Sequence, residues 1–325
     1  MKLSLQQIQS ITKGAVRITE QDGKICFFRF TEIEEALYKN RSEDFYKKTF
    51  STAGIRLEFI TDSRSLFLAT EVSSGSSRKF FAHDIFVNGK KIGSLGSCQT
   101  NVGTFSDSFD LGSGEKLVCI YMPWSTASQI SALELDDGAT LTPIKKERKI
   151  LMYGDSITQG YDALSPSISY ASRLADALNA ESVNKAIGGE VFWSTLAEVS
   201  DLNGIDLITV AYGTNDFSRG NFTKFEENAR AFYRTLSEKY RSAKIFALAP
   251  IWRADYEKDT GFGSFFLVRD TLTQIADELD NVTLINGFDF VPKDPSYFSD
   301  RYLHPNDEGF DFYADALIRE IKKHL

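Results

Sequence analysis

The sequence predicts two parts. The first is an all-β, jelly-roll-like antiparallel sandwich over residues 1–147. The second is an α/β domain on a five-stranded parallel sheet over 148–325. Three observations predict this. Through about 14–144 apolar and polar residues alternate at period 2, as in strands with one buried and one wet face. From 150 onward, short apolar runs alternate with segments whose apolar residues recur at helical spacing, the pattern of buried parallel strands and covering helices. The charged run Lys145-Lys146-Glu147-Arg148-Lys149 stands between the two patterns and reads as a solvated linker.

Composition bounds the classes that need considering. At roughly 150 residues per domain, a chain of 325 residues implies about two domains. With 42% hydrophobic and 25% charged residues it has the balance of a globular protein. It contains no apolar run long enough for a transmembrane helix, so no membrane partner is expected. A net charge of −8 lacks the basic footprint of a general nucleic-acid binder. Cys26, Cys98 and Cys119 are odd in number and form no CxxC pair, so neither a disulfide framework nor a cysteine zinc site is expected. Gln and Ser interrupt the first residues where a signal peptide needs a continuous apolar stretch, which points to the cytoplasm.

In the first half, 55–59 and 130–135 alternate cleanly, and 106–111 less so. Asn88-Gly89, between the runs 84–87 and 90–92, is a two-residue hairpin cue. Asp22-Gly23, Gly112-Ser113-Gly114 and Asp136-Asp137-Gly138 mark further turns, and about eight short strands are expected, with helical excursions at 32–38 and 44–48. In the second half strands are expected at 150–153, 182–186, 205–211, 244–249 and 282–285. Helical spacing is carried by Ile168, Ala171, Leu174 and Leu178, by Phe225, Ala229, Phe232 and Leu236, by Val268, Leu272, Ile275 and Leu279, and by Phe310, Ala314, Leu317 and Ile321.

In such a sheet, ligands bind beyond the carboxyl ends of the strands. The first strand is followed there by Gly154-Asp155-Ser156, the second by Gly188-Gly189 and the third by Gly213-Thr214-Asn215-Asp216; the loop after the fifth ends in His304-Pro305. These parts suit acyl transfer. A serine hydroxyl needs a base to take its proton, and His304 is one of only three histidines. Attack on an ester creates an oxyanion that needs preorganised donors. The backbone N–H groups of Ser156 and Gly189 and the Asn215 amide are the candidates, with glycine at 189 allowing close backbone approach.

Gly154-Asp155-Ser156-Ile157-Thr158, Asn184-Lys185-Ala186-Ile187-Gly188-Gly189, Gly213-Thr214-Asn215-Asp216 and His304-Pro305-Asn306-Asp307-Glu308-Gly309 resemble, in order, the motif blocks of the SGNH hydrolases, also called GDSL-type esterases and lipases. The resemblance covers roughly 148–325. It implies a three-layer α/β/α fold, Ser156 as nucleophile, His304 as general base, and Ser156, Gly189 and Asn215 as the oxyanion hole. It implies no metal and no cofactor, and structural roles for Asp155 and Asp216. One departure stands out. The family carries Asp three residues before its His, where this chain has Arg301; Asp300 lies four before. Either an irregular loop lets Asp300 orient His304, or a backbone carbonyl of 301 or 302 does so.

A β-rich half ahead of such a domain resembles the layout of carbohydrate esterase family 2, whose members pair an N-terminal jelly roll with an SGNH domain and deacetylate polysaccharides. The expected function is therefore a serine esterase acting on short acyl, chiefly acetyl, esters of carbohydrates. The alternatives are a lysophospholipase or thioesterase for longer chains, and a glycan-binding protein with a vestigial hydrolase domain. Trp252 and Arg253, after the fourth strand, are candidate sugar contacts, and Phe262, Phe265 and Phe266 a candidate apolar rim.

Overall fold

The computed structural model describes all 325 residues. Its first helix, α1 (Leu5–Ile11), begins at a reciprocal cap: Ser4 Oγ accepts the Gln7 N–H, and the Gln7 side chain accepts the Ser4 N–H. Two compact units make up the chain. One comprises Met1–Glu147 with Leu164–Ser167 and Glu181–Asn184; the other comprises the rest.

The first unit holds β1 (Thr12–Lys13), β2 (Arg17–Gln21), β3 (Lys24–Phe28), β4 (Arg56–Thr61), β5 (Ser65–Ser74) and β6 (Phe81–Val87). It continues with β7 (Lys90–Ser97), β8 (Gly103–Asp110), β9 (Lys116–Tyr121), β10 (Thr126–Leu135) and β11 (Thr142–Pro143). These form two antiparallel sheets. One has the order β1-β4-β9-β6-β7, with β11 also on β4, and the other the order β2-β3-β10-β5-β8. The strands number eleven, more than expected; β1 and β11 are two residues long, too short to show any period. Alternate residues such as Leu57 and Phe59, Leu66 and Leu68, and Val118 and Ile120 fill one apolar core. Asn88 and Gly89 both take positive φ, +49° and +78°, which closes Val87 onto Lys90 as the twisted two-residue hairpin requires. Helices α2 (Glu32–Arg41) and α3 (Glu43–Thr49) are capped by the hydroxyls of Thr31 and Ser42. The charged run after 144 is not the solvated linker expected. Lys146 makes a 2.7 Å ion pair with the buried Glu58, and Arg148 already begins a strand.

That strand, β12 (Arg148–Gly154), opens the α/β part, followed by β13 (Ala180–Asn184), β14 (Leu207–Ala211), β15 (Lys244–Ala249) and β16 (Val282–Asn286). The sheet order is β13-β12-β14-β15-β16, and the registers from β12 through β16 are parallel. Between and after the strands run α4 (Ser156–Gln159), α5 (Tyr170–Ala177), α6 (Ser194–Val199), α7 (Thr214–Arg219), α8 (Phe222–Lys239), α9 (Leu267–Glu278) and α10 (Asp307–Lys322). Helix α5 packs with α10 and α6 with α8, while α9 lies on β15 and β16. Ile150, Leu207, Ile208, Val210, Ile245 and Phe246 are buried, as strands covered by helices require. No helix is long and apolar enough to cross a membrane.

Candidate active site

The turn after β12 sets Ser156. Asp155 caps α4, its Oδ1 accepting the Ile157 N–H at 3.0 Å. Gly154 permits the turn, since a Cβ there would stand 2.0 Å from Thr158 Oγ1. Ser156 Oγ then lies 2.8 Å from His304 Nε2, although 148 residues separate the two in sequence.

His304 sits at the end of a closed loop. Phe298 and Pro305 bridge its base, and the Ser299 N–H donates to the His304 carbonyl at 2.8 Å. Inside the loop Asp300 Oδ1 accepts the N–H groups of Tyr302, Leu303 and His304 at 3.0, 2.7 and 3.1 Å. Its Oδ2 lies 2.7 Å from His304 Nδ1. Arg301 takes φ +62°, and this left-handed residue absorbs the one-residue excess in spacing. Burial pushes the Asp300 carboxyl pKa up. The hydrogen bonds from the His304 ring and from the Leu303 N–H, with the His304 charge and N–H, outweigh that and hold it well below the usual carboxylate range.

The segment after β13 is anchored to β12 and its following turn. Lys185 N–H donates to the Met152 carbonyl, Ile187 N–H to the Gly154 carbonyl, and Gly188 N–H to Gln159 Oε1 at 2.9 Å. Gly189 takes φ +90°, a conformation that favours glycine. Its carbonyl accepts from Arg219 Nη2 at 3.0 Å. Asn215, in the first turn of α7, donates from Nδ2 to the Glu190 carbonyl at 3.0 Å and reaches Asp155 Oδ2 at 3.4 Å. The longer contact is the weaker one, and an oxyanion would compete with it.

Two carboxyls lie under this edge. Burial raises Asp155 to about 6, against the opposing Ile157 N–H and the charges of His304 and Arg253. Burial likewise raises Asp216 to about 7, opposed by the Phe192 N–H and the Arg219 charge.

The structure does not present Trp252 and Arg253 as the sugar contacts that the sequence suggested. Trp252 is 7% exposed and packs on Phe298. Arg253 is 1% exposed, and every guanidinium nitrogen is hydrogen-bonded within the fold. Phe262 and Phe265 are buried as well; both pack on Phe217, so they form core rather than rim.

Sequence reasoning missed several neighbours of His304. The Tyr161 ring stacks on its imidazole at 5.7 Å and 27°. Asp162 Oδ2 lies 3.9 Å from Nδ1 and accepts from Ser299 Oγ at 2.8 Å. Only the nearness of Tyr161 and Asp162 to Ser156 in the chain hinted at either. Asp162, Asp300 and His304 offer ligand atoms within 4.8 Å of one another, but the short Asp300–His304 and Ser299–Asp162 contacts read as an orienting network.

The GDSL-like lipase/acylhydrolase family model matches residues 152–312, the span that carries Ser156, Gly189, Asn215, Asp300 and His304. The α/β domain belongs to this family. No curated protein matches the chain in sequence. Solved structures do resemble this chain. A salicylyl-acyltransferase from a tetracycline biosynthetic pathway superposes with a TM-score of 0.81 at 22% identity, covering 96% of this chain and 94% of that one. A family two carbohydrate esterase from Clostridium thermocellum, in complex with cellohexaose, gives 0.64 at 19%, covering 84% and 93%. An acetyl xylan esterase from the rumen bacterium Butyrivibrio proteoclasticus gives 0.67 at 15%, covering 100% and 98%. At these identities the likeness is one of fold, a sandwich followed by a GDSL-type domain.

Proposed function

We propose that the protein is a serine esterase that removes short acyl groups, chiefly acetyl, from carbohydrates through an acyl-enzyme. The observation that carries this reading is the unbroken chain from Ser156 Oγ to His304 Nε2 at 2.8 Å and from His304 Nδ1 to Asp300 at 2.7 Å.

In this reading His304 takes the Ser156 proton as Oγ bonds to the ester carbon. The carbonyl oxygen becomes an oxyanion, met by the N–H groups of Ser156 and Gly189 and by the Asn215 amide. Collapse breaks the bond to the sugar oxygen, which leaves with the proton held on Nε2. Water then gives its proton to His304 and attacks the acyl carbon; the acid leaves and Ser156 regains its hydrogen. Asp300 stays ionised and holds the ring through Nδ1. Support for a carbohydrate ester comes from the two carbohydrate-active esterases of like fold.

Acetate release from a panel of acetylated oligosaccharides, beside para-nitrophenyl esters of two to twelve carbons, tests this. The expected result is turnover of sugar acetates, with acetyl favoured over octanoyl by at least about tenfold and no loss in EDTA; a tenfold acyl preference is about one 1.4 kcal/mol step in transition-state binding. Preference for long chains would favour a lipid ester or thioester substrate. Binding without turnover would favour a glycan-binding protein.

A second reading is acyl transfer to an alcohol, favoured by the 0.81 superposition on an acyltransferase over 96% of the chain. Product analysis with added alcohols separates the two, because a transferase yields the new ester in excess of free acid.

A further inference from the structure

Strand order places β15 between β14 and β16. The loop after β15 is therefore the one beside both the turn after β14, which leads into α7 and Asn215, and the loop after β16, which carries His304. Arg253 stands in that middle loop, and its bonds run both ways. Towards α7, Nη1 donates to the Thr214 carbonyl at 2.7 Å, Thr214 Oγ1 at 3.0 Å and Ser218 Oγ at 2.9 Å. Towards the histidine loop, Nη2 donates to Tyr302 Oη at 2.7 Å, and the Ala254 N–H donates to the Tyr302 carbonyl at 2.9 Å. Asp255 neutralises the buried charge, accepting from Nε at 2.6 Å and Nη2 at 3.2 Å. The guanidinium lies over the Phe217 and Tyr302 rings, 5.3 Å from each centroid.

The neighbours on each side give these bonds their meaning. Thr214 precedes Asn215, and α7 has only six residues, too few to be stable by itself. Tyr302 and His304 both donate their N–H groups to the same Asp300 oxygen. A guanidinium has the planar, many-donor shape to fasten both elements at once; an ammonium does not.

We propose that Arg253 is a positioning residue that sets the distance between the oxyanion donor Asn215 and the base His304 without touching substrate. The inference rests on the esterase reading above.

The test uses the full chain and para-nitrophenyl acetate. Arg253→Lys is expected to lower kcat by roughly 10–100-fold with KM within about twofold, the size of an ångström-scale misplacement. In an Asn215→Ala background the same change is expected to cost at least about threefold less than in the wild type, because the share of the loss that comes from misplacing the Asn215 donor is already gone. Tyr302→Phe removes one hydroxyl from a side chain at the surface. It should show the same pattern at about 3–10-fold, and it decides the matter if Arg253→Lys fails to fold. A raised KM with unchanged kcat would make Arg253 a substrate contact and overturn the proposal. So would an equal loss with and without Asn215, which marks general destabilisation. If the wild-type chain hydrolyses no ester and a fluorophosphonate does not label Ser156, the esterase reading falls and takes this inference with it.

Discussion

Asp300 Oδ2 lies 2.7 Å from His304 Nδ1 across a four-residue spacing, while Asp300 Oδ1 gathers three consecutive backbone N–H groups of the same loop. One carboxylate thus bonds both the loop backbone and the imidazole. Asp300→Asn is expected to lower kcat by about 10²–10⁴-fold, the upper end matching the loss seen when a triad carboxylate is amidated. Steady-state kinetics check it. A loss under about tenfold would mean that the nearby Asp162 or a carbonyl suffices to hold the ring.

Ser156→Ala and His304→Ala should each abolish nearly all turnover, and the double variant should be little worse than either. Groups that act as one unit lose their effect together. Near-normal activity in Ser156→Ala would remove the hydroxyl from the chemistry.

Asn215→Ala should lower kcat by about 10²–10³-fold with little change in KM, as expected for one donor to an oxyanion. A change confined to KM would place Asn215 in ground-state binding instead.

Asp216 gives a prediction about stability. Its folded pKa is raised to about 7, while an unfolded aspartate titrates near 4. Between those values the folded chain keeps a proton that the unfolded chain has lost. Stability is therefore fully present below about pH 4 and declines as pH rises through about 7. Asp216→Asn should melt higher than wild type at pH 8 and no higher at pH 4. Equal melting temperatures at pH 8 would count against the raised pKa.

Trp252→Phe should alter turnover of sugar acetates and of para-nitrophenyl acetate by the same factor, because the indole is buried against Phe298. A selective loss on sugars would return Trp252 to the substrate.

Much of the α/β part was legible because its strands are apolar runs and its helices keep a 3.6 period. The order of those elements is enough to expect Ser156, Gly189, Asn215 and His304 at one sheet edge. What was hidden depended on tertiary partners or on backbone form. Arg253 reads in the sequence as a candidate sugar contact, but its partners Thr214 and Tyr302 lie 39 and 49 residues away in sequence. The reach of Asp300 turned on the positive φ of Arg301, a residue type with no marked taste for that conformation. The cap of α1 is readable as Ser4 followed three residues later by Gln7.

The separation of 148 positions between Ser156 and His304 also bears on how the chain comes to life. Synthesis delivers the serine well before the histidine. A growing polypeptide therefore carries an idle hydroxyl until the histidine loop has also emerged. Contacts of such long sequence separation form late in folding. Regain of ester turnover after dilution from denaturant should thus trail the recovery of helical ellipticity, which makes turnover a stopwatch for the last docking event.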